Sequence, residues 1–292
     1  MAIINGKADL HTHTSASDGM QSPAENVRLA KAAGLSAVAI TDHDTVSGVA
    51  EAMLEGERIG IQVVPGVEVS TVAEGIDIHI LGYYTNNEDG QWLSRLADLR
   101  GTRERRNEMI VDKLRDLGIT IAMEDVVAAA HGSDTSHSLP AAEVSIGRPH
   151  IAEVLVRKGV VASMQEAFDR YLASDAAAYV NPPRVHPYEA MEWIKEAGGT
   201  SIIAHPGLYG NDSLVEELVR HGAKGIEVFH SDHGPEEEKR YAELARQYKL
   251  IVTGGSDFHG VRHGQIFHGA VGSRSVDVHV LQQLRSSWGS SK

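Results

Sequence analysis

Seven short runs of apolar and β-branched residues recur along this chain, and most lead straight into a histidine or a carboxylate. The runs are Ala8–His11, Ser36–Thr41, Ile61–Val67, Ile76–Leu81, Thr200–Ala204, Gly225–Phe229 and Leu250–Thr253. Runs of this length, bounded by Gly, Pro, Asn and Asp, read as strands. Helical patterns separate several of them. Pro23–Ala33 follows Ser22 as an N-cap, has Pro23 at its first position and closes at Gly34. Pro235–Tyr248 opens with a proline and three glutamates, which suit the positive end of a helix dipole. Strands alternating with helices predict parallel strands and an α/β architecture. In barrels of parallel strands the C-terminal strand ends form one face, where functional groups gather.

The alternation breaks once, between the fourth run and the fifth. Gln91–Leu117 reads as one long helix, interrupted near Gly101, and Met123–Ala130, Pro149–Lys158 and Ser163–Leu172 read as further helices. The Asn181-Pro-Pro183 turn leads the chain back. The pattern predicts an α/β domain made of 1–99 and 191–292, interrupted by a mostly helical insertion over 100–190. The tail from Ser286 to Lys292 reads as frayed.

Composition narrows the chemistry. The chain has 292 residues, 16 His and no Cys. A chain this long buries roughly 75% of its unfolded surface, so it needs no disulfide or structural metal to fold. The missing thiols exclude zinc fingers, iron–sulfur clusters and cysteine nucleophiles. The 27 Lys and Arg against 40 Asp and Glu give a net charge of −13. That balance argues against long nucleic acid and against a polybasic membrane surface. Met1–Lys7 has no apolar stretch of a secretory signal, and no run of about 18 apolar residues occurs, so a cytoplasmic location is expected.

The metal-ligating residue types coincide with the predicted strand ends. The first strand ends in His11-Thr-His13, whose side chains, two apart, face one side. Asp18 follows in the next loop, and the second strand runs into Asp42-His43-Asp44. The third ends at Glu68, and the fourth carries Asp77 and His79 among isoleucines. The fifth ends in His205, the sixth in His230, and the seventh runs into Asp257-Phe-His259. A lone histidine after a strand is usually a surface or hydrogen-bonded group; the coincidence of six histidines with Asp18, Glu68 and Asp257 points instead to ligation. Nine nitrogen and oxygen ligands exceed what one ion takes, so two or three divalent cations are expected. Mixed imidazole and carboxylate favours manganese, zinc or iron over magnesium or calcium.

The set His11-x-His13, Asp18, Thr41-Asp-His43, Gly66-Val-Glu68, His79, His205-Pro and Ser256-Asp-x-His259 resembles the PHP (polymerase and histidinol phosphatase) family, related to the amidohydrolases. The resemblance implies a distorted seven-stranded β/α barrel and a trinuclear site, with manganese the expected ion and zinc or iron the alternatives. It places His11, His13, Glu68 and Asp257 on one ion, and Asp18, His43 and His259 on a second. Glu68, His79 and His205 would hold the third, with Glu68 bridging. Gly147-Arg-Pro-His-Ile-Ala152 and Ala177-Ala-Tyr-Val180 resemble one subgroup, which contains nucleoside 3′,5′-bisphosphate phosphatases and a 5′→3′ exonuclease of short RNA.

Clustered divalent ions suit hydrolysis of a phosphate ester, because they acidify a water and draw charge from the phosphoryl oxygens. The expected reaction is attack on phosphorus by a metal-bridging hydroxide, with Asp18, Glu68 and Asp257 as its catalytic carboxylates and no covalent intermediate. His230 is a candidate proton donor to the leaving alkoxide, its alternative being a hydrogen bond behind the ligands. An anionic substrate needs a local basic patch, and residues 95–106 hold five arginines. Arg100, Arg103 and Arg106 share a helix face, and Arg148 and His150 flank a helix start. Arginine grips phosphate bidentately. Arg103, Arg106, Arg148 and His150, with Ser136 and His137 from the insertion and Asp18, His43 and His259 from the metal set, are the expected substrate contacts.

The leading expectation is a phosphatase that removes the 3′-phosphate of a nucleoside 3′,5′-bisphosphate. The alternatives are the exoribonuclease on short 5′-phosphorylated RNA and a histidinol-phosphate phosphatase, the latter disfavoured by the arginine-bearing insertion. A non-catalytic regulatory module is disfavoured by the complete ligand set.

Overall fold

The computed structural model describes residues 6–131, 143–262 and 264–286. The elements run β1 (Lys7–Asp9), α1 (Pro23–Ala32), β2 (Ala37–Ile40), α2 (Val49–Ile59), β3 (Gln62–Ala73), β4 (Ile76–Tyr83) and α3 (Gly90–Asp116). They continue with α4 (Met123–His131), α5 (Arg148–Arg157), α6 (Met164–Ala167), α7 (Pro187–Glu196), β5 (Thr200–Ile203), α8 (Asp212–His221) and β6 (Gly225–His230). The last are α9 (Pro235–Tyr248), β7 (Ile251–Gly255), β8 (Val261–Arg262), β9 (Gln265–Ile266), β10 (Val276–Asp277) and α10 (Val280–Ser286).

One sheet has the order β10-β1-β2-β3-β4-β5-β6-β7. It curls into a barrel because the segment after β1 pairs with the segment around β7. Leu10 N–H donates to the Gly254 carbonyl at 3.1 Å, and Asp257 N–H donates to the His11 carbonyl at 2.8 Å. Gly255 permits this closure, since a Cβ there would stand 2.3 Å from the backbone nitrogen of His11.

Two features depart from the expected all-parallel, seven-stranded sheet. β4 is antiparallel to both β3 and β5, and the two-residue β10 adds an eighth, antiparallel strand on β1. The cause of the first is local. β3 does not stop near Val67 but continues to Ala73, where Glu74 and Gly75 both take positive φ and turn the chain back in two residues. A two-residue loop with positive φ at both positions joins antiparallel strands; a parallel pair needs a long crossover. Glu68 and His79 therefore sit inside a long hairpin rather than at strand ends.

Helix starts match their sequence signals. Ser22 accepts from Glu25 N–H while the Glu25 carboxylate accepts from Ser22 N–H, a capping box with Pro23 at the first turn. The break expected near Gly101 is absent: α3 is continuous over 27 residues. Ser163 caps α6, which passes into a π-helical stretch at Phe168–Leu172.

Ala8, Ala37 and Ala39 on the first strands leave room for Tyr83, whose hydroxyl donates to the Leu10 carbonyl at 2.6 Å. Leu281 and Leu284 of α10 pack onto the same core. Helices α1 and α2 cover β2 through Val27, Val38, Ile40 and Val49. Helices α7, α8 and α9 cover β3 to β6 around Ile194, Leu218 and Tyr241. A fourth cluster joins Ile110, Val111 and Leu114 of α3 to Ile151, Leu155 and Leu172. Trp92, Leu96 and Leu99, earlier on the same helix, belong to the barrel cluster. No helix among the described residues is long and apolar enough to cross a membrane.

Candidate metal centre

His11 and His13 extend β1 beyond its last ladder pair. The Thr12 hydroxyl donates to the Ala39 carbonyl at 2.5 Å and its N–H to the Thr41 hydroxyl at 3.1 Å, so both imidazoles turn inward. The loop that follows is folded by Asp42. Its carboxylate accepts from Thr14 N–H, the Thr14 hydroxyl and the Ser17 hydroxyl at 2.6–2.7 Å, which brings Asp18 back beneath His13. Asp44, His205 and Asp257 adopt positive φ, an expensive conformation for non-glycine residues that the surrounding hydrogen bonds hold in place.

All nine residues expected as ligands converge. Glu68 is the hub: its Oε1 lies 2.8 Å from His79 Nδ1, 2.9 Å from His205 Nε2 and 3.5 Å from His11 Nε2. Its Oε2 lies 3.0 Å from His43 Nδ1 and 3.2 Å from His13 Nε2. Asp257 Oδ1 is 3.1 Å from His13 Nε2 and 3.3 Å from His11 Nε2. Asp18 Oδ1 stands 3.3 Å from His259 Nε2, and its Oδ2 stands 3.8 Å from His43 Nε2. His79 reaches the group because β4 returns alongside β3, which puts it opposite Ser70, two residues beyond Glu68.

Apart from His205 Nε2 and Glu68 Oε1, close approach among these atoms is not hydrogen bonding. Nε2 of His11 and His13, Nδ1 of His43 and Oδ1 of Asp18 and Asp257 are buried, yet none has a hydrogen-bond partner. Ligands about 2.1 Å from a common ion stand roughly 3.0–3.4 Å apart, the spacing seen among these atoms. Donor atoms of His13, Asp18, His43 and His259 all lie within 4.8 Å of one another, as do those of His11, Glu68 and His205, of His11, His13 and Asp257, and of His43, Glu68 and His79. The donor set fits divalent ions.

Burial and mutual proximity also perturb the titration of the cluster. Burial opposes a charge on His13, but Asp257 and Glu68 outweigh it and raise the imidazole to about 10. His43 goes the other way: burial and then the Arg103 charge push it down to about 3. Glu68 resists its own burial because His43, His79 and His11 surround it, and its carboxyl falls well below the usual range.

Several groups that the strand-end pattern did not single out support the nine. Glu227, fully buried on β6, takes His11 Nδ1 at 3.1 Å on both oxygens and His205 N–H at 2.8 Å. That bond keeps the His11 proton on Nδ1 and leaves Nε2 as a free lone pair facing the cluster. β6 carries a bulge between Glu227 and Phe229, which lets Glu227 and His230, three apart, both serve this end of the barrel. Asp9 accepts backbone N–H from His11, Ser256 and Gly272 and ties three loops together. The sign available in the sequence was an acid within or next to four of the seven apolar runs: Asp9, Asp42, Asp77 and Glu227.

His230 is fully buried. Its Nδ1 accepts from Asp232 N–H at 3.1 Å and its Nε2 stands 3.3 Å from Asp257 Oδ2. His268, beyond β9, reaches Asp232 through Nδ1 and lies 3.5 Å from Asp257 through Nε2. Of the α3 arginines, Arg100 and Arg103 share Asp44 and Arg106 reaches Asp77. Arg100 donates to the Asp44 carbonyl at 2.8 Å, and Arg103 to Asp44 Oδ2 and the Ser70 hydroxyl at 2.6 Å each. Arg106 and Arg148 both reach Asp77. His150 Nδ1 accepts from Gly147 N–H, and burial with the Arg262 charge lowers its imidazole to about 4. Ser136 and His137 lie outside the described residues.

A curled α/β sheet with a buried imidazole and carboxylate cluster at one end defines a class of metal-dependent hydrolases. The PHP domain profile matches residues 9–255, and the chain belongs to that family. It is 35% identical over 258 residues to a 5′-3′ exoribonuclease of Haemophilus influenzae, covering 87% of this chain and 90% of that one. It is 32% identical to a 3′,5′-nucleoside bisphosphate phosphatase of Chromobacterium violaceum, covering 88% of each. The solved structure of a Bifidobacterium adolescentis protein described as a metal-dependent phosphoesterase superposes with a TM-score of 0.85 at 31% identity over 96% of both chains. The chain is a metal-dependent phosphoric ester hydrolase.

Proposed function

We propose that the protein is a phosphatase that removes the 3′-phosphate of nucleoside 3′,5′-bisphosphates. The observation that carries this reading is the meeting of two charges: the nine-ligand cluster lies against a row of arginines on α3, close enough for Arg103 to depress His43. Three divalent ions, manganese foremost, are assigned to the cluster. His11, His13, Glu68 and Asp257 would hold one, Asp18, His43 and His259 a second, and Glu68, His79 and His205 the third. When bound, the ions supply Lewis acidity to the phosphoryl oxygens and lower the pKa of water toward neutrality.

The chain's own residues do the rest. Glu227 holds His11 in the tautomer that presents Nε2. His230, with both nitrogens engaged, is assigned to holding Asp257 rather than to protonating the leaving group. Arg103, anchored on Asp44 and Ser70, sets positive charge beside Asp18 and Glu68, where phosphoryl oxygens would lie. The walls of buried side chains exclude bulk water and so strengthen each of these interactions.

A second reading, exonucleolytic cleavage of short 5′-phosphorylated RNA by the same attack on a diester, is favoured by the similarity to the Haemophilus exoribonuclease. Assays of manganese-loaded protein, reading inorganic phosphate from the monoesters and released 5′-nucleotide from the RNA, separate the readings. Adenosine 3′,5′-bisphosphate should be hydrolysed faster than 5′-AMP, histidinol phosphate and short 5′-phosphorylated RNA. A higher kcat/KM on the RNA would select the second reading, and one on histidinol phosphate would overturn both.

A further inference from the structure

The three carboxylates of the cluster are held in different ways. Glu68 lies inside the β3–β4 ladder, and Asp257 donates its N–H to the His11 carbonyl at 2.8 Å, so each takes its height from a strand. Asp18 sits between β1 and α1, in a turn that closes on itself. The Thr14 carbonyl accepts from Ser17 N–H at 3.0 Å and from Gly19 N–H at 2.9 Å. Where the Asp18 carboxylate points is therefore decided by what grips the turn from outside.

One grip comes from the segment that carries His259. Met20 N–H donates to the His259 carbonyl at 3.0 Å, and Arg262 Nη2 donates to the Asp18 carbonyl at 2.6 Å. Residues 18–21 and 259–262 are thus stitched together on both sides of Gly260. Gly260 has positive φ, and a Cβ there would stand 2.6 Å from Met20 Cβ. β8 pairs with β9 as Val261 opposite Ile266 and Arg262 opposite Gln265. Alternation along the strand turns Val261 and Ile266 outward, each about half exposed, and turns Arg262 inward, where it is 4% exposed.

Fastening a hairpin to a turn needs no buried charge, since a backbone N–H or a hydroxyl donor would serve. Burial lowers the Arg262 pKa, with the Asp18 and Glu153 charges opposing that fall. What the guanidinium adds is a rigid, planar donor that fixes the direction of the carbonyl it grips. The insertion presses on the same turn, where Ser145 N–H donates to the Ala16 carbonyl at 2.9 Å. Asp18 is also the carboxylate set farthest from its fellow ligands, 3.3 Å from His259 and 3.8 Å from His43.

We infer that Arg262 is a positioning residue for the second ion: by gripping the Asp18 carbonyl it aims the Asp18 carboxylate at the space shared with His43 and His259. The inference rests on the ligand assignment proposed above. Its contact is with the backbone, so it acts through Asp18 and not on the substrate.

The test measures manganese binding to the metal-free full chain, by chelator competition and elemental analysis, in the parent, Arg262→Gln, Arg262→Lys, Asp18→Asn and the Arg262→Gln, Asp18→Asn double variant. Arg262→Gln should weaken one ion about 10- to 100-fold and leave the others within about twofold. Arg262→Lys, which keeps a donor, should fall between. The double variant should bind no more weakly than Asp18→Asn alone, because both changes act on one ion. The phosphatase rate lost by Arg262→Gln should return as manganese is raised, with KM within about twofold of the parent. Equal weakening of every ion, or losses that add in the double variant, overturns the inference. A raised KM with unchanged manganese affinity overturns it too, since that marks a substrate contact. A parent chain that binds fewer than three ions removes the three-ion assignment, while a loss shared with Asp18→Asn still supports the role of Arg262. If Arg262→Gln fails to fold, Arg262→Met, which keeps the apolar stem and removes the donors, takes its place.

Discussion

Nine side chains from six strands or strand ends make the floor of the site, whereas the arginines beside it come from two helices and one connecting segment. The floor is held from the backbone. β-ladders set the height of each ligand, and buried acids such as Asp42 and Glu227 fix loops and tautomers behind them. The arginine wall is held through the guanidiniums themselves, which donate to the side chains of Asp44, Ser70 and Asp77 and to the carbonyls of Asp44, Leu172 and Val180. A floor of this kind tolerates little displacement of any one ligand. The candidate ligands are thus fixed by the strands, and the arginines by side-chain contacts between α3, β4 and their neighbours.

The largest effect expected on this contrast is at the hub. Glu68→Ala removes the oxygens that face five histidines, and should cost metal retention and about 1000-fold or more in phosphatase rate. Metal analysis beside a phosphate-release assay reads both, and full activity in this variant would break the distinction between floor and wall. Asp77→Ala strikes the wall instead. It leaves three arginines without their carboxylate and should cost roughly 3 kcal/mol in denaturant unfolding while metal content stays intact. The same residue gives a pH signature. Burial alone would raise the Asp77 carboxyl, but Arg148, Arg106 and Arg184 hold it well below its ordinary 3.8 in the folded protein. A depressed carboxyl contributes stability above 3.8, and that contribution shrinks as pH falls below it toward the folded group's lower value. Unfolding measured between neutral pH and pH 3 should therefore show a shallower acid loss in Asp77→Ala than in the parent chain.

Glu227→Gln probes the support beneath the floor. It keeps an acceptor for His11 Nδ1–H but removes the charge, and should weaken metal binding about 10- to 100-fold by competition with a chelator. The smallest effect belongs where floor and wall touch. A Cβ at Gly147 would stand 3.1 Å from Arg103 Nη1 and 3.2 Å from Asp18 Oδ2. Gly147→Ala should raise KM only a few-fold, roughly 0.5–1 kcal/mol, with unchanged metal content.

Legibility in the sequence followed the same division. His11-x-His13, Asp42-His43 and Asp257-x-His259 could be read because each is local: a strand places i and i+2 on one side whatever its neighbours are. The direction of β4 escaped the strand-and-helix pattern, since it is decided by the two-residue turn at Glu74-Gly75. The break foreseen at Gly101 did not occur, because packing on both sides of α3 overrides the weak helix propensity of one glycine. The helix face of Arg100, Arg103 and Arg106 was visible, but their partners were not. Asp44 and Asp77 lie far away in the chain, and only the folded strands bring them to the helix. Arg184 gave no local sign at all; its meeting with Asp77 depends on where the return segment lands.

The continuity of α3 couples two cores through one rigid rod. Its first turns are locked into the barrel by Trp92, Leu96 and Leu99, and its later turns into the helical cluster by Ile110, Val111 and Leu114. At 1.5 Å per residue its 27 residues extend about 40 Å, with the arginines near the middle. Such a rod behaves like an axle: turning one end turns the other, and everything mounted between moves by an amount set in advance. A tilt of the helical cluster would swing the arginines relative to the histidines, so that the spacing between the two sets of side chains changes in a single mechanical event.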